Sequence, residues 1–538
     1  MAKVQVAFEL YEDSIDKLVG YKQLNIHMIF DIRMGENFRR KARLVADGHR
    51  TKVPASSTYS TVVSRDSIRI CFMLAALNGL QLLAADIENA YLNAPCQEKH
   101  WVKAGPEFDK DEGKTYIVCR ALYGLRSSGA AFRAYLAEIL DAIGFKSSIA
   151  DPDVWIRSNI KPDGQHYYKY ILVYVDDILC ISATPKETML EISSNDKGRI
   201  KFKKNKIEPP TMYLGATVAE KQINGNNCWT MSSSTYIKAA IETIEKQLPS
   251  KGLKFNNRCH TPIQQGYRPE LEQSQELDED GITFFQECIG MLRWAIELGR
   301  VDIYHEISIL SSYQAAPRRG HLEQLINIFS YLKKHPKLTL YFDKDLPRYD
   351  EALIQGSPIE DFKELYRDAE EQLPNNMPPP LGPPVRMTAF VDASHAANRV
   401  TRKLHTGFII FVNRAPVYWY SKRQSTVETS TFSSEFIALK TCMEQIVAMR
   451  YKLRVFGVNI DGPATVFCDN QTCVNCSSNM EATLNKKHSS LAYHATRHAV
   501  AAGIIRVAWI ESSENLADPL TKQLTVQQRN HLFGNWTY

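Results

Sequence analysis

Two adjacent aspartates, Asp176 and Asp177, interrupt YILVYVDDILCIS, a run otherwise rich in β-branched and aromatic residues. Residues 171–175 and 178–181 each predict a short buried strand, and the polar pair between them predicts a tight hairpin turn. Aspartate tolerates turn dihedrals and keeps a hairpin tip in water. Neighbouring carboxylates also repel unless a divalent cation sits between them, which would make the tip a metal site. Asp86, in LQLLAADIENAYLNAP, stands where an apolar strand runs into a helix start. It suits an N-cap, and equally a carboxylate facing the 176–177 tip if the two strands are neighbours. Three carboxylates so gathered would hold two Mg²⁺ ions, one activating a 3′-hydroxyl and the other steadying a triphosphate and its leaving group. Four more acids stand at element ends: Asp392 in AFVDAS, Glu435 in TFSSEFIAL, Asp469 in VFCDN and Asp518 in NLADPLTK. Each also suits a helix start or a polar helix face. Glu435 shares its segment with Ile437, Ala438 and Leu439, and a carboxylate turned to that buried side needs a cation or a hydrogen-bond partner.

The elements that must position these acids follow from periodicity. Helical spacing covers 67–77, then 80–85 leads as a strand into Asp86, and 130–143 is a second amphipathic helix ended by Gly144. Residues 232–342 are mostly helical in pattern, with apolar residues three to four apart over 284–298 and 322–334, the latter stopped by His335-Pro336. Residues 343–372 carry ten acids against four bases, and LPNNMPPPLGPPVR follows; together they predict a stiff, poorly packed spacer. Beyond it come a strand at 387–391, a hairpin 407–412/415–420 through Asn413-Arg414, a long helix at 433–456, a strand into Asp469, helical material and a strand at 505–510. That order implies a mixed α/β domain.

A chain of 538 residues, 44% hydrophobic and 23% charged, is folded and holds about three or four domains. The longest apolar stretch, 68–85, is broken by Arg69, Asn78 and Gln81 and does not read as a membrane span. The first residues lack a signal-peptide pattern, and eleven scattered cysteines suit a reducing, intracellular compartment. Cys473 and Cys476 form a lone CxxC, read as two ordinary thiols. Net charge is only +5, but bases cluster over 33–52 and, without any acid, at Lys197, Arg199, Lys201, Lys203, Lys204 and Lys206. Such runs are solvated faces or phosphate contacts.

YVDD in its apolar frame resembles the catalytic hairpin of reverse transcriptases, and the neighbouring segments resemble the copia-like LTR retrotransposon branch. RRKARLVADGH (39–49) is similar to that branch's fingers motif and DIENAYLNAP (86–95) to the segment carrying its first catalytic aspartate. ALYGLRSSGAAF (121–132), DPDVW (151–155) and YLGATV (213–218) come in the family's order, the last as the primer grip. The resemblance implies Asp86, Asp176 and Asp177 as metal ligands, Tyr91 as an aromatic beneath the incoming sugar, Lys41 and Arg43 as triphosphate contacts, and Gly215 as a close-approach point for the primer. Tyr91 also suits plain core packing. Ser127-Ser128-Gly129 replaces the family's Gln-Ser-Pro, which implies a looser loop beside the nucleotide pocket. The chain begins inside the fingers, without the Trp-containing lead-in of the family, which implies a truncated start.

The segment after the spacer resembles the ribonuclease H domain of the same elements. It implies that Asp392, Glu435, Asp469 and Asp518 hold two Mg²⁺ ions (with Mn²⁺ as a substitute) and cleave the RNA strand of an RNA–DNA hybrid, recognised by its 2′-hydroxyls. WIESSENLAD lacks the His-bearing loop of cellular ribonuclease H; Lys487, His488 and His494 lie upstream as hybrid contacts or surface residues. The expected architecture is α/β and α+β multidomain: fingers and palm over 1–230, helical thumb and connection over 231–342, the spacer 343–386, and a ribonuclease H-like mixed sheet over 387–538. The expected partners are an RNA template, a DNA primer or hybrid, dNTPs and other Pol or Gag products, with no membrane. The competing reading is a decayed or domesticated element that binds nucleic acid without polymerising.

Overall fold

The computed structural model describes residues 7–33, 39–51, 58–194, 200–223, 225–350, 352, 354–394, 398–425, 430–484 and 489–534, with the side chains of 31–41 left aside. The chain forms two compact units: Met1–Ser64, Gln81–Lys161 and Tyr168–Pro209 in one, and Arg65–Leu80, Pro162–Tyr167 and Pro210–Tyr538 in the other.

The first unit is built on a five-stranded sheet whose order is Gln81–Asp86, Asp177–Ser182, His166–Tyr174, Val154–Ile160, Lys146–Ser147. Ile171, Val173, Ile178 and Cys180 share a buried core with Phe132, Leu136 and Ile139 of helix Ser128–Ala142 and with Met189 and Ile192 of helix Pro185–Ser193. Leu172, Leu179 and Ile181 on the opposite face are fully buried as well, and burial on both faces is why the hairpin's strands are almost uninterruptedly apolar. Its turn is not the Asp176-Asp177 pair. Tyr174 pairs with Asp177, so Val175 and Asp176 make the turn and Asp177 is already in the returning strand. Val175 accordingly takes a left-handed φ of 58°, as two-residue hairpins of this hand require. A ribbon of Ile26–Arg33 and Arg39–Ala46 meets the YGLR block at Gly124, where an added Cβ would sit 2.1 Å from the Ala46 carbonyl oxygen. The Ser127-Ser128-Gly129 loop is pinned, contrary to expectation. Ser127 and Ser128 are buried, Ser127 donates to Glu98, and Ser128 Oγ donates to the Leu122 carbonyl at 2.5 Å.

In the second unit, helix Arg65–Asn78 sets Phe72 against Trp229 and Phe342, and Arg69 over the Trp419 ring at 3.7 Å. The two units divide after Pro209, and this helix parts from the strand that comes after it. Helices Ser234–Gln247, Glu279–Glu297, Tyr304–Leu310 and Arg319–Lys334 occupy the stretch predicted to be helical. Asp278 caps the second of them by accepting from Gly281 N at 2.8 Å. Beyond residue 386 lies a five-stranded sheet ordered Ala415–Arg423, His405–Val412, Met387–Ser394, Ala464–Cys468, Ile505–Trp509. Its first three strands are antiparallel and its last two run parallel to Met387–Ser394. Helix Thr431–Val455 covers it. Ile409, Phe411, Trp419, Leu520 and Phe533 belong to the same core as the preceding helices.

The expected loose spacer is a seated strap. Glu371 holds Arg450 through bonds of 2.7 and 2.9 Å and also pairs with Arg454. Phe362 is buried, and the Leu381 and Val385 amides donate to the carbonyls of Gly457 and Asn459 at 2.9 and 2.8 Å. A Pro-rich segment cannot pack many side chains, but its remaining amides still bond to a neighbouring backbone.

Candidate active sites

In the first unit, antiparallel pairing sets Asp177 directly opposite Asp86 on the neighbouring strand, with Asp176 at the turn beside them. Burial, then the charges of Asp176 and Asp86, push the Asp177 carboxyl up to about 6, against the pull of Lys203. Lys203 Nζ lies 2.6 Å from Asp86 Oδ2, so one base of the run read as phosphate-binding is engaged by a site carboxylate. Its long side chain hid this target, because sequence distance says nothing about where a lysine reaches.

Tyr91 lies on the short helix Ala90–Asn93 and is half-buried, its ring 4.9 Å from that of Tyr123 and 6.2 Å from that of Phe132. Burial and then the Asp176 charge raise its phenol. Burial and then Asp176 also raise Tyr123, while Arg43 opposes that rise. Asp86, Asp176, Asp177, Tyr91 and Arg43 thus share one locality, to which Tyr123 is an unforeseen addition. Lys41 lies on strand Arg39–Ala46, but its side chain is outside the described residues. Gly215 sits in the second unit, in a turn where Leu214 and Gly215 have φ of 50° and 89° and where a Cβ would meet Trp294 at 3.4 Å. A φ in this region favours glycine.

In the second unit, Val391 pairs with Cys468 in parallel register, so Asp392 and the residue after Cys468, Asp469, leave the same end of adjacent strands. Asn515 Nδ2 donates to the Val391 carbonyl at 3.0 Å and ties the 515–522 turn to that end, bringing Asp518 in. Ligand oxygens of Asp392, Asp469 and Asp518 lie within 4.8 Å of one another. Asp392 is 1% exposed and accepts from Thr521; Lys522 Nζ spans Asp392 at 3.3 Å and Asp518 at 2.9 Å. Ser512 donates to Asp469 at 2.7 Å. Burial raises Asp392, and burial with the Asp392 charge brings Asp518 to about 7, in both cases against Lys522. Glu435 lies one turn into its helix, 6% exposed, and its Oε2 is buried without a partner. Burial, then Asp392, Cys468 and Asp469, push it up to about 11.

Lys522 and Thr521 were not foreseen, although NLADPLTK puts the lysine four residues after Asp518, one helical turn away. These groups line a cavity of about 600 Å³ whose other wall is Tyr267, Arg268, His305 and Tyr313 from the helical stretch. Gln523 Nε2 donates to the Tyr267 carbonyl at 3.0 Å and closes that wall. His494 hydrogen-bonds the Tyr366 hydroxyl at 2.8 Å, while Lys487 and His488 lie outside the described residues. All eleven cysteines are free, and no described helix is long and apolar enough to cross a membrane.

A family model described as reverse transcriptase (RNA-dependent DNA polymerase) matches residues 15–265. That segment, just under half of the chain, is similar to the reverse transcriptase family. Together with the residues C-terminal to it, it is similar to Pol polyproteins of copia- and Ty1-like elements. The chain is 25% identical over 493 residues to the retrovirus-related Pol polyprotein from transposon RE1 of Arabidopsis thaliana, over 90% of this chain and 30% of that protein. It is 24% identical over 519 residues to the corresponding polyprotein from transposon TNT 1-94 of Nicotiana tabacum, over 94% of this chain and 35% of that protein. It thus spans about a third of the length of these relatives. The putative transposon Ty5-1 protein of Saccharomyces cerevisiae aligns at 24% identity over 67% of this chain and 99% of its own length. Among solved structures, the N-terminal ribonuclease H domain of Rv2228c from Mycobacterium tuberculosis, fused to maltose binding protein, covers 28% of this chain and 98% of that one, at 13% identity and a TM-score of 0.20. A score that low says nothing about the fold.

Proposed function

We propose that the chain copies RNA into DNA at Asp86, Asp176 and Asp177 and cleaves the RNA strand of RNA–DNA hybrids at Asp392, Glu435, Asp469 and Asp518. The observation that carries the reading is the strand register: Asp86 and Asp177 face each other across one antiparallel pair, at the end where Asp176 makes the turn. The donor set of the second site fits Mg²⁺, since three carboxylates converge within 4.8 Å and the partnerless buried oxygen of Glu435 adjoins them; at the hairpin the support is the facing register of Asp86 and Asp177. Bound there and at the hairpin, Mg²⁺ supplies nucleophile activation and charge stabilisation for in-line attack on phosphorus.

The chain's own groups do the rest. Strand pairing holds the carboxylates without loop freedom. Lys203 and Lys522 neutralise the acids while no cation is bound, and each must swing aside or contact phosphate when one binds. Tyr91, wedged against Tyr123, takes the position of a floor beneath the sugar, and Arg43 with Lys41 receives the triphosphate. Gly215 admits the primer backbone. In this reading 1–230 are fingers and palm, 231–342 thumb and connection, and 387–538 the nuclease, with template, primer, dNTPs and other products of the element as partners.

The test is a pair of double variants assayed for both activities on a primed RNA template with dNTPs and Mg²⁺. Asp176→Asn with Asp177→Asn abolishes synthesis and leaves hybrid cleavage; Asp392→Asn with Glu435→Gln does the reverse. Loss of synthesis with retained cleavage in the second variant would refute the assignment. A wild-type chain that binds the template yet performs neither reaction would establish the non-catalytic reading.

A further inference from the structure

Beside the all-oxygen cluster lies a second convergence that differs by one atom type. Cys468 Sγ and carboxylate oxygens of Glu435 and Asp469 lie within 4.8 Å of one another. Zinc binds thiolate at about 2.3 Å and carboxylate at about 2.0–2.2 Å in tetrahedral geometry, so two ligands sharing one ion stand roughly 3.5 Å apart. From their present spacing the three atoms close on one ion by side-chain shifts of about an ångström or less.

Three further observations bear on this place. Glu435 is more than nine-tenths buried and its Oε2 has no hydrogen-bond partner, which a bound cation would correct. Cys473, on helix Gln471–Ser478, is a second buried thiol in the neighbourhood of Cys468. Both thiols are fully buried and unoxidised. Entry is through the 600 Å³ cavity, which Glu435 and Asp469 line and beneath which Cys468 lies. The CxxC that reads as two ordinary thiols therefore places its first member near a sulfur and two carboxylates outside the motif.

We propose that Cys468, Glu435 and Asp469 form a site for a thiophilic divalent cation of the Zn²⁺ or Cd²⁺ class. Magnesium is hard and takes oxygen ligands, whereas thiolate selects soft and borderline ions. The two sites share Glu435 and Asp469, so they cannot be filled together. A thiophilic ion withdraws both carboxylates from the oxygen cluster and stops hybrid cleavage. Binding replaces the Cys468 thiol proton and the Glu435 carboxyl proton by the metal and releases both to solvent. The effect on cleavage rests on the nuclease reading proposed above; the site itself does not.

The experiment titrates Cd²⁺ into the full chain and follows the thiolate-to-cadmium charge-transfer absorption in the ultraviolet. The signal is taken as wild type minus Cys468→Ala, which cancels the other cysteines. A saturable difference band of one equivalent is expected, weakened by Glu435→Gln and moved to higher Cd²⁺ by excess Mg²⁺. If Cys468→Ala does not fold, Cys468→Ser keeps the shape and still removes the band. A flat difference spectrum at saturating Cd²⁺, with both proteins folded by circular dichroism, overturns the proposal. In parallel, the Zn²⁺ concentration that halves cleavage, relative to each protein's own uninhibited rate, rises at least tenfold in Cys468→Ser. A band without any cleavage in wild type would refute the nuclease and keep the cation site; cleavage without a band does the opposite.

Discussion

Replacing Glu435 by glutamine removes a group assigned above to the proposed cleavage site and should nevertheless make the metal-free protein more stable. Burial and three acidic or thiol neighbours push this carboxyl up to about 11, so it is neutral in the folded chain at pH 7 and ionised once unfolded. A raised acid stabilises the fold fully only below its unfolded value, and the loss grows as pH climbs towards the folded one. From the ordinary value of 4.5 to pH 7 is roughly 2.5 pH units, and at about 1.36 kcal/mol each the carboxyl costs the fold about 3 kcal/mol. Glutamine carries no such cost. In EDTA the melting temperature of Glu435→Gln should match wild type near pH 4.5 and exceed it by several degrees at pH 7, the gap widening with pH. Added Mg²⁺ should raise the wild type and close the gap, because it binds the folded carboxylate. A gap that does not vary with pH, or a variant that melts below wild type at pH 7 in EDTA, would refute the neutral buried carboxyl.

Tyr91→Val should raise the ratio of ribonucleotide to deoxyribonucleotide incorporation at least tenfold while synthesis stays measurable; an unchanged ratio with a lower melting point would make Tyr91 a packing residue for Tyr123 and Phe132. Lys522→Met removes the ammonium that spans Asp392 and Asp518. It should lower the melting point in EDTA at pH 8 and cut the Mg²⁺ needed for half-maximal stabilisation about tenfold; thermal shift against Mg²⁺ reads both. Burial works against Glu371, but the hydrogen bonds and charges of Arg450 and Arg454 prevail and hold it at about 2. Its contribution is present above 4.5 and lost as pH falls towards 2, so acid melts of Glu371→Gln should converge on wild type over that window.

The acids were legible because each is a polar residue ending an apolar run, and such a residue marks where a strand leaves its sheet. Asp86 and Asp469 stand at such strand ends, Asp177 opens the returning strand beside Asp176, and Asp392 lies near the end of its strand. The hairpin turn was misplaced by one residue, since nothing in Val175 announces a left-handed conformation that β-branched residues avoid. Lys203 and Lys522 were invisible for a different reason: a flexible four-carbon stem leaves its target to tertiary structure. Helix Arg65–Asn78 and strand Gln81–Asp86 are three residues apart in sequence and divide between two units, which periodicity cannot report. The strap was misread because proline content signals stiffness and says little about whether the remaining amides find carbonyls.

The core that Ile409, Phe411, Trp419, Leu520 and Phe533 share with the preceding helices bears on dissection. Severed at residue 386, the downstream piece would bare these five side chains to water, and each is worth about 1.5–3 kcal/mol when buried. The sum rivals the whole stability of an ordinary domain. The same cut would strand Arg529, whose guanidinium donates to Glu306 at 3.1 Å from within the apolar interior. A soluble fragment carrying the Asp392 cluster therefore has to start before the helix Ser234–Gln247, and a protease trimming at the prolines would yield an aggregating product.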